Sequence, residues 1–270
     1  MRPHPEWLVP QWPVAPHVRA VFTTRAGGVS RPPFDSLNLG RPSGDDAAAV
    51  DVNRQRLADA IGHAPVFMSQ VHGTDCVVLP VVAPDPAGGP IEADACATRT
   101  PGVVCTVRVA DCLPVLLSDT QGRVVAAAHA GWRGLAGCVL ERSFAQFQEL
   151  LSQAAAPQDG PDVAAGTLAW LGPCIGPQAF EVGDDVREAF VAQDVQAAHC
   201  FVPHADGKWM AHLALLARLR LQALGISQIH GNDGTAPWCT VGNPSLFFSH
   251  RRDSVALGGS GRMAACIWIH

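Results

Sequence analysis

The sequence predicts an α/β or α+β domain in which mixed β-sheets are covered by helices. Three observations carry this. Apolar runs of strand length recur along the 270 residues, whereas helical patterns are fewer and longer. Several runs, such as 114–118 and 124–128, are apolar at nearly every position, as expected of strands buried on both faces. No GxGxxG joins a strand to a helix and no GxxxxGKS/T occurs, which argues against a simple doubly wound nucleotide fold.

In chain order, residues 20–24 read as a strand. Residues 46–61 read as a helix, with Asp45 or Asp46 as N-cap, Val50, Leu57 and Ile61 on one face, and Gly62 just past the end. Strands are predicted near 66–71, 76–82, 103–109, 114–118 and 124–129. A longer helix fits 134–151, where Leu135, Val139, Phe144, Phe147 and Leu151 fall at helical spacing. The Ala- and Pro-rich stretch 153–161 reads as a surface loop. A strand at 167–171, helices at 184–192 and 210–224, and strands near 227–230, 245–249 and 263–269 complete the chain. No repeat or linker divides it, so residues 1–270 are expected to form one domain with a core of about 20–269.

The composition is 48% hydrophobic and 16% charged, which suits a large buried core and argues against disorder. Net charge is -5 with no basic run, so a nucleic acid partner is not expected. No apolar stretch approaches a membrane span, and the first residues lack a signal core. A cytoplasmic protein without membrane contact, monomeric or a small homo-oligomer, is the expectation. Nine scattered cysteines cannot all pair, and most read as small buried hydrophobes.

Three residues stand apart: His72, Cys112 and His129. Each ends a stretch that reads as a buried strand: Gln70-Val71-His72-Gly73, Ala110-Asp111-Cys112 and His129-Ala130-Gly131-Trp132-Arg133-Gly134. Two imidazoles and one thiolate form a soft donor set for zinc or copper. Three protein ligands leave a fourth position for water or substrate, as in catalytic zinc sites. The alternative is a buried thiol with two histidines satisfied by backbone groups.

Other loops carry chemistry-bearing residues. In 23–40, paired glycines let backbone approach a ligand, Arg25 could meet an anion, and Asn38 could bond a base or sugar. A turn with a long loop explains those residue types equally. Arg133 follows His129 where a strand turns into a helix, a setting suited to phosphate. A packed Trp132 and a solvated Arg133 are the structural alternative. LGPCIGP (171–177) reads as a rigid loop that could close one side of a cleft. Arg251 and Arg252 could bind an anion or form salt bridges.

Together these stretches resemble the YfiH-type laccase-domain family, also called the multifunctional purine nucleoside phosphorylase or peptidoglycan-editing family. The resemblance rests on TTRAGGVSRPPFDSLNLG (23–40), QVHG (70–73), ADCLPVLL (110–117), AAHAGWRG (127–134), LGPCIGP (171–177), FFSHRRD (247–253) and GRMAACIW (261–268). It implies a four-layer α/β/β/α sandwich with mixed sheets. It also implies that His72, Cys112 and His129 are the metal ligands and the catalytic residues, holding one Zn2+ per chain, with Cu2+ possible. Arg25, Asn38, Gln70 and Arg133 are the substrate-binding candidates. Two departures fall in the C-terminal motif. His250 stands where the family usually has Tyr, and the segment 254–260 is longer than usual.

The implied activity is phosphorolysis of adenosine, inosine and methylthioadenosine, with nucleoside and phosphate as small-molecule partners and adenosine deamination as a second activity. A zinc- or Cys112-dependent amidohydrolase acting on a cell-wall peptide precursor is the alternative. A copper polyphenol oxidase is disfavoured because the chain contains no His-x-His pair.

Overall fold

The computed structural model describes residues 3–80, 91–154 and 163–270. The first half contains β1 (Val18–Phe22), α1 (Ala47–Ile61), β2 (Cys76–Val78), β3 (Ala95–Thr98), β4 (Cys105–Val109), β5 (Leu113–Asp119), β6 (Val125–Ala130) and α2 (Trp132–Ala136). The second contains α3 (Val139–Ala154), β7 (Thr167–Leu171), β8 (Glu181–Val182), α4 (Asp184–Val191), β9 (Phe201–Pro203), β10 (Trp209–Ala211), α5 (Leu213–Ala223), β11 (Gln228–Gly231), α6 (His250–Leu257) and β12 (Met263–Ile269).

Six strands form one mixed sheet in the order β11-β7-β5-β6-β3-β2, with β2–β3 and β7–β11 parallel and the other pairs antiparallel. A second sheet, β1-β12-β4, is antiparallel. Strand periodicity assigns side chains to layers. In β5, Leu113, Val115 and Leu117 pack with α3 and α5, whereas Leu116 packs into the space between the six-stranded sheet and β1-β12-β4. In β12, Met263, Ala265 and Ile267 face that same space, whereas Ala264, Cys266 and Trp268 pack with Leu57 and Ile61 of α1. The order is therefore α1, small sheet, large sheet, then α3 with α5: the four-layer α/β/β/α sandwich. A third sheet, β8-β10-β9, sits beside α4.

The predicted α1 forms with Asp46 as its N-cap, accepting from Ala48 N at 3.0 Å, and Gly62 closes it at φ +81°. Several expectations need correction. Residues 66–71 join no sheet; among the described residues one isolated bridge, Ser69–Glu92, falls within them and another, Pro65–Val104, just before. The Gln70 side chain takes the place of a strand partner: its Oε1 accepts from Arg108 N at 2.8 Å and its Nε2 donates to Arg108 O at 2.9 Å. The strand expected at 76–82 ends at Val78, and residues 81–82 lie outside those described, as does most of the loop expected at 153–161.

The helix expected at 134–151 is broken into α2 and α3, because Cys138 adopts φ +76° between them. The helix expected at 210–224 starts later, since residues 209–211 join the third sheet and His212 caps α5 through Leu215 N. Residues 245–249 are no strand. Leu246 N and Phe247 N donate back to Asn243 O, and Ser249 then caps α6, which the sequence reading missed. Strand β3 was also missed, because Ala95-Cys96-Ala97 lacks the β-branched residues that mark strands. Among the described residues no helix is long and apolar enough to cross a membrane.

Candidate metal centre and its cavity

The antiparallel pairing of β5 and β6 brings the start of one strand beside the end of the other. Leu113 faces Ala130 and Pro114 faces His129. Cys112, one residue before β5, therefore lies beside the last turn of chain in β6. His72 enters from the loop before β2. The Sγ of Cys112 and a ring nitrogen from each histidine all lie within 4.8 Å of one another. Cys112 Sγ is 3.8 Å from His72 Nε2, and the two imidazole centroids are 4.9 Å apart. Gly131 leaves room for this convergence. A Cβ there would lie 2.9 Å from Cys112 Sγ and 3.0 Å from His72 Cδ2, too close for any side chain.

The group is held by Asp94, which the sequence reading did not single out. Pairing of β3 with β6 places it opposite His129. His129 Nδ1 donates to Asp94 Oδ1 at 2.7 Å, leaving Nε2 for the centre. The same fully buried carboxylate accepts from the backbone N–H groups of Val71, His72 and Gly73 at 3.1, 3.0 and 2.7 Å. Three successive donors on one carboxylate fix the His72 loop, where His72 itself takes φ +60°. One acid thus orients two of the three candidate ligands.

The charges follow from this packing. Burial opposes ionisation of Cys112, yet the adjacent His129 cation and the hydrogen bonds of both imidazoles bring its pKa down to about 6. Burial likewise opposes charging of His129, but the Cys112 thiolate and Asp94 raise it to about 9. Burial would raise Asp94, and His129 with the loop N–H groups outweighs it and holds the carboxyl below its usual range.

His72 is exposed, Cys112 half-buried and His129 buried, so the centre is open on one side. That side faces a cavity of about 480 Å³. Trp132, Ile175, Phe180 and Leu213 supply its apolar lining, and Arg108, Arg133, Arg251 and Arg262 its charge. Its one carboxylate, Asp111, takes φ +81° and is already engaged. It accepts from the hydroxyls of Thr240 and Ser249 and from Arg251 N. These bonds clamp the start of α6 to the residue preceding Cys112.

Of the four substrate-binding candidates, two reach the cavity. Gln70 is in the wall, with its amide held by Arg108. Arg133 is exposed in the wall and stacks on Trp132 at 4.3 Å, with no ion pair among the described residues. Arg25 and Asn38 do not line it. Arg25 donates to Asp35 O at 2.7 Å and Pro244 O at 2.8 Å, pairs with the Asp35 carboxylate at 3.1 Å and covers Phe248. Asn38 is fully buried, donating to Ser43 Oγ and Asp45 Oδ2 and accepting from Gly40 N and Arg262 N. Both hold the loop together instead of facing a ligand. Arg252 is structural too, bonding Thr240 O, Val241 O, Phe247 O and Asp253.

The reading missed Arg108 and Arg262. Arg108 Nε is buried without a partner, and burial followed by the nearby Arg262 lowers its pKa. Burial also lowers Arg262, against the pull of Cys112 and Asp111. The available signal was a lone arginine in apolar strand sequence, Val107-Arg108-Val109, and one at the mouth of the last strand, Gly261-Arg262-Met263.

Fold and centre together define a four-layer sandwich protein with an open His/Cys/His group over an arginine-lined cavity. The chain belongs to the family described as multi-copper polyphenol oxidoreductase laccase, whose model matches residues 19–270. It is 47% identical over 267 residues to the Escherichia coli protein named purine nucleoside phosphorylase YfiH, covering 97% of this chain and 98% of that one. A purine nucleoside phosphorylase of Pseudomonas aeruginosa is 46% identical over 264 residues, with the same coverage. The fold matches the crystal structure of a Neisseria meningitidis protein of the DUF152 family with a TM-score of 0.86 at 41% identity, covering 98% and 99% of the two chains. Despite the family's description, His72, Cys112 and His129 form the one group among the described residues suited to a metal ion.

Proposed function

We propose that this chain is a metal-dependent purine nucleoside phosphorylase acting on adenosine, inosine and methylthioadenosine. The observation that carries the reading is the juxtaposition of an open two-imidazole, one-thiolate group with a cavity whose other charged lining, apart from the hydrogen-bonded Asp111, is four guanidinium groups, of which Arg133 has no hydrogen bond or ion pair among the described residues. The names of relatives above 40% identity support it. The cavity volume of about 480 Å³ suits a small molecule.

The donor set fits a soft divalent ion. His72, Cys112 and His129 would hold one Zn2+ per chain, or Cu2+, with a position left open toward the cavity. Such an ion would supply Lewis-acid charge beside the substrate. The protein's own groups do the rest. Trp132 and Phe180 offer apolar surfaces to a purine ring. Arg133, Arg108 and Arg262 offer charge-assisted donors to phosphate, which must sit near the sugar C1′ for in-line attack. Adenosine deamination is carried as a second activity of the same cavity, and a cytoplasmic location as the setting.

Protein of known zinc content, incubated with inosine, tests this. Hypoxanthine and ribose 1-phosphate should appear only when phosphate is present, and adenosine should also release ammonia slowly. Free ribose without phosphate would make the protein a nucleoside hydrolase instead.

One observation favours a second reading. Cys112, His129 and Asp94 form a thiolate–imidazole–carboxylate array, which also suits a cysteine nucleophile cleaving an amide of a cell-wall peptide precursor. Amine release from such a peptide without phosphate, and no reaction with nucleosides, would move the assignment there.

A further inference from the structure

We propose that His250 donates the proton taken up by the purine base as it leaves, making it the general acid of phosphorolysis; this rests on the function proposed above. When the C1′–N9 bond breaks, its electron pair passes to the base, which leaves readily only if N7 receives a proton. A phosphate oxygen forms the new bond to C1′. Hydrogen phosphate loses its own proton on becoming the ester, so a proton returned to His250 through solvent closes the cycle. Nothing else is consumed.

Elimination within the cavity points to this residue. Among the described residues, its titratable lining groups are His72, Cys112, His129, Asp111, His250 and the four arginines. The first three form the candidate metal centre. Asp111 accepts three hydrogen bonds, from two hydroxyls and a backbone N–H, and has no proton to offer. Guanidinium groups do not give up protons in this range. His250 remains.

Its geometry suits the role. His250 is the first residue of α6, and the residues on either side of it, Ser249 and Arg251, are bonded to Asp111 at 3.0 and 2.6 Å. The backbone that carries the imidazole is therefore tied to the residue preceding Cys112, and the side chain is exposed in the cavity wall. Its Nδ1 lies 2.7 Å from Ser254 Oγ, one helical turn on. A hydroxyl can accept from the imidazolium and donate to the neutral ring, so the contact survives both protonation states. Nε2 is left for the base.

The test is the leaving group. Inosine methylated at N7 carries its positive charge already and leaves without a proton, whereas inosine needs one. His250→Gln should slow cleavage of inosine about a hundredfold or more while changing N7-methylated inosine by less than about threefold. Equal slowing of both substrates, or no effect on inosine, overturns the proposal. Should the Gln variant prove insoluble, Ser254→Ala is scored on the same pair, with a smaller loss confined to inosine expected and an equal loss on both contradicting it. Wild-type protein that cleaves neither nucleoside in phosphate would sink the functional reading and this proposal together. Wild-type cleavage of both, with an unchanged ratio in the variant, would remove only His250.

Discussion

Two buried polar residues organise loops in this molecule, and they do so to different ends. Asp94 gathers the backbone of residues 71–73 and the ring of His129, and leaves ligand atoms of His72, Cys112 and His129 facing one another over a cavity. Asn38 gathers Gly40, Ser43, Asp45 and Arg262, while Asn53 bonds Val29, Ser30 and Ser36, and both side chains are spent within the protein. Within the glycine-rich stretch 23–40, Arg25 and Asn38 bond to the protein itself, whereas Gly40 at its end and the adjoining Ser43 line the cavity. A loop becomes a site when its fixed groups leave donors or acceptors over, and this distinction can be broken experimentally.

The largest effect should come from Cys112→Ala, which removes the thiolate from the open group. Bound zinc and turnover should both disappear, measured by metal analysis and product formation. Cys112→Asp should retain some metal, since a carboxylate oxygen binds zinc. Cys105→Ala, in the buried core, should keep both and cost only about 1–2 kcal/mol of packing. Metal and full turnover in Cys112→Ala would dissolve the contrast between the two clusters.

Asp94→Asn comes next. It weakens the acceptor that serves three loop N–H groups and removes the acid that fixes the His129 tautomer. Zinc affinity should fall about 10–100-fold, read by competition with a chelator. An unchanged affinity would mean that the ligands hold themselves.

Removing the metal exposes a pH signature. In stripped protein Cys112 titrates at about 6, down from 9.0, and His129 at about 9, up from 6.5. A depressed acid stabilises the fold at high pH and loses that contribution as pH falls through its folded value. A raised base does the reverse, losing its contribution as pH rises. The Cys112 contribution is therefore complete above about pH 9 and lost as pH falls toward 6, the His129 contribution is complete below about 6.5 and lost as pH rises toward 9, and across that window the two offset each other. The Tm difference between stripped wild type and Cys112→Ala, followed across pH, should be smallest below about pH 6 and grow as pH rises above it; a difference that is independent of pH would contradict the depressed thiol.

The smallest functional effect belongs to the scaffold. Arg25→Ala loses two hydrogen bonds to carbonyls and a half-exposed ion pair, and should cost about 1–2 kcal/mol in unfolding experiments. Its nucleoside kinetics should stay near wild type.

These contrasts also show what was legible in the sequence. His72, Cys112 and His129 were legible as soft donors at the ends of three apolar runs, a weak pattern by itself that the ordered family motifs around them strengthened. A sheet covered on both faces could be expected because β5 and β6 are apolar at nearly every position, whereas the four-layer order came with the family resemblance. Asp94 could not, since it directly precedes Ala95-Cys96-Ala97-Thr98, a short run that does not read as a strand. Arg108 could not, because one charge in an apolar strand reveals neither its face nor its partners. Arg25 and Arg133 looked equivalent as residue types. Only the partners around them separate a guanidinium bonded to Asp35 and Pro244 from one stacked on Trp132 over a cavity.

That separation gives the most direct measurement: the phosphate dependence of hypoxanthine release from inosine in Arg133→Ala and Arg25→Ala, side by side. Loss of a charge-assisted contact worth about 1.5–3 kcal/mol should raise the phosphate KM of Arg133→Ala roughly 10–100-fold, with a smaller change for inosine. Arg25→Ala should leave the phosphate KM unchanged. A raised phosphate KM in Arg25→Ala, with none in Arg133→Ala, would contradict the placement of the anion in this cavity.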